Sequence, residues 1–156
     1  MTRDSLSFLE TGLDPGSTRF FRVRASNGLG SSSYSNVISA TTWTLFQAWN
    51  VANGYPFNTA VDADGDNDGM GQLMEYGLGL DPDKSDADGA LSSQLIGGNL
   101  VLTYQRTRPE LHYQVEVSDN LLNWTTEGVS VFHGNFSMGW APVVNPSRFL
   151  RLSVSE

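Results

Sequence analysis

The sequence contains no cysteine, which removes disulfides, thiolate zinc sites and cysteine nucleophiles at once. Basic residues are scarce: 9 Lys and Arg stand against 17 Asp and Glu, a formal net charge of −8. Binding to nucleic acid or to an anionic membrane surface requires a basic stripe, so neither partner is expected. No apolar run approaches the roughly 20 residues of a helical membrane span, and no membrane insertion is expected. The first ten residues are polar and lack the apolar stretch of a signal peptide. An exported chain would then have its signal upstream. Histidine is limited to His112 and His133, and there is no G-x-S-x-G elbow, H-E-x-x-H helix or phosphate-binding glycine loop.

What is present favours strands and turns. A hydrophobic fraction of 39% suffices for a core, and 16 glycines with abundant Ser, Thr and Asn suggest short strands with tight connections. The expected fold is mainly β: small antiparallel β-sandwich modules joined by a short two-helix segment. Three stretches are distinguished. Over 1–42, Phe21, Val23 and Ala25 alternate with Arg22 and Arg24, the period of a half-buried strand. Over 43–90, Leu45, Phe46, Trp49 and Ala52 form a helical stripe that Asn53-Gly54 would end, followed by a loop, a second helix and an Asp-rich linker. Over 91–156 alternation returns, most clearly at Leu111, Tyr113, Val115 and Val117, and again at Leu150, Leu152 and Val154. About five short strands with turns such as Gly97-Gly98-Asn99 predict a small antiparallel sandwich or barrel.

Residues 64–75 read D-x-D-x-D-G-x5-E without a mismatch. Calcium is a hard cation that takes six to eight oxygen ligands. In this spacing Asp64, Asp66 and Asp68 supply inward carboxylates at positions one, three and five. Gly69 allows the sharp turn at position six. Met70 offers its carbonyl at position seven, Gln72 acts through water at position nine, and Glu75 supplies the bidentate carboxylate at position twelve. A start at Asp62 would put Asn67 at the glycine position and Leu73 at the carboxylate position, so the register is unique. Gly71 occupies position eight, where paired loops of this type carry an apolar residue, which suggests a solitary loop. A further acidic group, Asp81, Asp83, Asp86 and Asp88, fits no such register and reads as a solvated linker, with a second calcium as the alternative.

Two resemblances attach to these residues. Leu13-Asp14-Pro15-Gly16-Ser17-Thr18 with Phe21, Val23, Ala25 and Asn27, followed by the strand-like 30–42, resemble the C-terminal half of a fibronectin type III domain. The resemblance departs at Arg19, where that family places a corner tyrosine. The loop and the trailing Glu75-Tyr76-Gly77-Leu78-Gly79-Leu80-Asp81-Pro82 resemble solitary dockerin-like or thrombospondin type 3-like calcium segments. Such segments occur in large exported proteins of Verrucomicrobia and Planctomycetes. A true dockerin would carry two loops, and one is present. The resemblance implies a non-catalytic, calcium-stabilised structural or cell-adhesion region of a secreted or cell-surface multidomain protein. Its partners would be calcium and a polysaccharide or another surface protein. The alternative is a carbohydrate-binding module attached to an extracellular glycoside hydrolase, because Trp124, Trp140, Tyr104 and Phe149 fall in the strand region. Trp124 and Trp140 are expected in the sandwich core instead. No enzymatic role is expected.

Overall fold

A computed structural model describes residues 7–85, 90–134 and 136–156. The fold is mainly β, with two short helices and several small antiparallel sheets among the described residues. The chain separates into two compact units between Asn58 and Thr59.

In the first unit, β1 (Thr18–Phe21) pairs antiparallel with β4 (Ile38–Thr41), and β2 (Ser26–Asn27) pairs with β3 (Gly30–Ser31). The Asp14-Pro15-Gly16 turn is fixed by the Thr42 hydroxyl, which donates to the Asp14 carbonyl at 2.7 Å. The alternation at Phe21, Val23 and Ala25 does not become a half-buried strand. Ladder pairing stops at Phe21, and Val23 is 66% exposed. Beyond it the backbone is tied by serines: the Val23 amide donates to the Ser35 hydroxyl at 3.0 Å and the Ala25 amide to the Ser32 hydroxyl at 3.0 Å. Two-stranded ladders bury neither face, and the described residues of this unit supply no further sheet.

Helix α1 (Leu45–Ala52) forms where the stripe predicts it. A reciprocal capping box starts it, Thr44 accepting from the Gln47 amide while the Gln47 side chain accepts from the Thr44 amide. Asn53 ends it, followed by Gly54 at φ 85°.

The second unit begins with the loop and α2 (Gln72–Leu78), then, among the described residues, six strands: β5 (Leu91–Ile96), β6 (Asn99–Tyr104), β7 (His112–Ser118), β8 (Ser130–His133), β9 (Ser137–Pro142) and β10 (Phe149–Ser155). Sequence periodicity suggested about five. One strand that alternation does not mark is β5, in the polar Ser92-Ser93-Gln94 run, which becomes strand because Gly97-Gly98 folds it back on β6. Both glycines have positive φ, 57° and 81°, as a two-residue hairpin turn with the right twist demands.

A four-stranded sheet in the order β5-β6-β9-β8 faces the β7–β10 ladder. Leu78, Leu102, Tyr104, Val115 and Leu152 form the core, and Met70, Met74, Leu150 and Val154 pack against it. Contact between the layers is close: a Cβ on Gly139 would fall 2.6 Å from a Val115 methyl. Tyr104 is in the core, whereas Trp124 and Trp140 are only half-buried and lie outside it. The small residues Gly139 and Ala141 take the inward positions of β9, which turns Trp140 to the other face.

Candidate metal centre

The loop is closed at its neck by backbone bonds. The Gln72 amide donates to the Ala63 carbonyl at 2.8 Å and the Leu73 amide to the Val61 carbonyl at 3.0 Å. Gly71 makes this approach possible, because a Cβ there would lie 2.9 Å from the Asp62 Cα. The residue whose type argued against a paired loop is thus the one that lets a single loop close on itself.

Inside the neck the acidic side chains organise the backbone. Asp64 accepts from the Asn67 amide at 2.7 Å and from the Gly69 amide at 3.0 Å, one bond to each carboxylate oxygen. Asp66 Oδ1 accepts from the Asp68 amide at 3.1 Å, and Asp68 Oδ1 from the Met70 amide at 2.9 Å. These bonds curl the chain through left-handed Asn67 and Gly69, at φ 63° and 94°. Asparagine and glycine tolerate that region best.

The result is convergence. One carboxylate oxygen from each of Asp64, Asp66 and Asp68 lies within 4.8 Å of the other two, an arrangement that could hold a metal ion. Burial pushes the Asp66 carboxyl pKa up, and the charges of Asp68 and Asp64 add to the rise against the lowering effect of the Asp68 amide. Asp66 Oδ2 is buried without a hydrogen-bond partner.

The other ligands expected from sequence are placed as follows. Met70 directs its side chain to the core while its amide serves Asp68. Gln72 is fully buried, and neither atom of its amide group has a hydrogen-bond partner. Glu75 sits in the first turn of α2, also fully buried, but outside the three-carboxylate group. Asp62 is exposed. In the trailing acidic segment, Asp81 pairs with Lys84, which holds its carboxyl below the usual range. Asp86 and Asp88 lie outside the described residues.

The far end of α2 is held by residues that motif reading did not single out. The Gly77 carbonyl accepts from the Tyr113 hydroxyl at 2.6 Å, the Thr107 hydroxyl at 2.9 Å and the Thr107 amide at 3.1 Å. Arg108 Nε donates to the Tyr76 carbonyl at 3.2 Å and its guanidinium lies over the Tyr76 ring, whose hydroxyl bonds Glu110. Carbonyls at a helix C-terminus have no intrahelical partner, so these donors supply what the helix lacks. Gly79, at φ 77°, ends the helix beside Thr107. The signal for this was the short Gly77-Leu78-Gly79 stretch, in which two glycines three residues or fewer from a helix end mark close approach.

Comparison of the chain with protein-family models, curated proteins and solved structures gave no match.

Proposed function

We propose that residues 64–75 bind one calcium ion and that the ion stabilises the β-module in which the loop is embedded. The observation that carries this reading is the convergence of Asp64, Asp66 and Asp68 in a loop already curled by its own amides. The donor set is all oxygen, which suits a hard cation and not a thiophilic one. The orphaned Asp66 Oδ2 and the buried Gln72 amide group are polar atoms that an ion and its water would satisfy. Calcium would be held by Asp64, Asp66 and Asp68, the Met70 carbonyl, Gln72 through water, and Glu75. It would supply positive charge to a cluster whose like charges repel one another.

The ion's effect would pass along α2. Its N-terminal turn belongs to the loop, and its last carbonyls are bonded to Thr107, Arg108 and Tyr113. Extracellular calcium modules bind at about 10⁻⁴–10⁻³ M, so such a site is filled outside cells and acts as a structural element. With the strand patterns and the acidic composition, this supports a non-catalytic structural or adhesion region of a secreted or cell-surface multidomain protein.

Calorimetric titration of the full chain with calcium should show one equivalent bound. Asp64→Ala and Glu75→Gln should each abolish measurable binding, and Asp62→Ala should not. Unchanged affinity in the first two variants would overturn the site, and a large loss in the third would overturn its register.

A further inference from the structure

One face of the four-stranded sheet is not used by the core. Pairing registers put Leu102 and Tyr104 on the inner side opposite Gly139 and Ser137. The outer side then carries Val101 beside Trp140 and Thr103 beside Met138, with Phe132 of β8 opposite Met138. Trp140 and Phe132 are diagonal neighbours on this face, a relation that places side chains about 7–8 Å apart. Phe132 is 54% exposed. The outward positions of β5 and the start of β8 add Gln94 and Ser130, which flank the Val101–Trp140 row. None of the outward positions of the four strands holds Asp, Glu, Lys or Arg, in a chain of net charge −8.

We propose that this face binds a neutral polysaccharide, with Trp140 and Phe132 as stacking rings and Gln94, Thr103 and Ser130 as hydrogen-bonding groups. A pyranose ring presents a flat face of C–H groups and an edge of hydroxyls. The C–H hydrogens are attracted to the negative face of an aromatic ring. The hydroxyls need donors and acceptors that carry no formal charge, and amide and hydroxyl side chains supply both. A polyanionic glycan would meet the acidic field of the whole chain.

Size argues against a second copy or a protein partner. Strands spaced about 4.8 Å apart and about six residues long give a face of roughly 400 Å², about half of what each partner contributes to a standard protein interface. The site is separate from the acidic loop, and the inference stands whether or not that loop binds calcium.

The test is affinity electrophoresis of the full chain through gels containing hydroxyethylcellulose, glucomannan or galactomannan, with polygalacturonate as the acidic counterpart. Retardation by at least one neutral polymer and none by polygalacturonate is expected. Phe132→Ser and Trp140→Ala should each weaken that retardation about tenfold, as removal of an aromatic anchor does. Trp124→Ala, on the other ladder's side, should leave it within about twofold. Melting curves verify folding, and Phe132→Ser, exposed on an edge strand, keeps the test decisive if Trp140→Ala does not fold. No retardation by any neutral polymer, retardation only by polygalacturonate, or undiminished retardation of Phe132→Ser would each overturn the proposal. So would a dimer in sedimentation that Phe132→Ser dissociates.

Discussion

The strands of the two units treat apolar side chains in opposite ways. In the first, Phe20 is 73% exposed and its neighbours are held by serine hydroxyls and a few ladder bonds. In the second, strands with the same alternating pattern bury Val115 and Val117 almost completely. The difference is not in the strands' own sequences. Alternation states which face of a strand is apolar, but burial requires a second layer. The β5-β6-β9-β8 sheet provides that layer for β7 and β10, and two-stranded ladders provide none for β1 and β4.

The contrast is most sharply tested in the shared core. Leu102→Ala should lower the stability of the second unit by about 2–5 kcal/mol, as core truncations do, read from denaturant unfolding. Gly139→Ala should cost about 1–3 kcal/mol by overpacking against Val115.

Calcium comes next. At a concentration about 100 times Kd the ion should add about 2.7 kcal/mol to the second unit, and Asp64→Ala should lose all of it in melting curves run with calcium and with chelator. Tyr113→Phe and Thr107→Val each remove a donor to the Gly77 carbonyl and should cost about 1 kcal/mol apiece. At the small end, Phe20→Ser in the first unit should change stability by less than about 0.5 kcal/mol.

Acidification should separate the protein in calcium from the protein in chelator. In chelator, the raised pKa of Asp66 means the folded state holds that proton more tightly than the unfolded chain. Its contribution therefore grows as pH falls through the raised value and is complete below the ordinary carboxylate pKa. Asp119, whose carboxyl Arg148 holds below the usual range, works the other way: its stabilisation is lost as pH falls through its depressed value. With calcium, protons compete for the same carboxylates. The melting-temperature gain from calcium should shrink between about pH 7 and about pH 4.

The spacing of residues 64–75 made the loop legible, because bringing three carboxylates together in one curled loop imposes residue types at fixed positions. Helix α1 and strands β7 and β10 were legible from period and turn chemistry. Long-range packing was not. Nothing local to Val23 says that it lacks a covering layer, and nothing local to Gly77 says that Thr107 and Tyr113 reach its carbonyl. Trp140 misled because a large aromatic in a strand is usually core. Here Gly139 and Ala141 occupy the inner face, so the indole goes outward.

The most direct test of the central claim is backbone hydrogen exchange of the full chain in calcium and in chelator. Calcium should slow exchange across residues 64–80 and in β7 and β10, leaving β1 to β4 unchanged. Identical exchange throughout the second unit in the two conditions would contradict the claim that the ion stabilises this β-module.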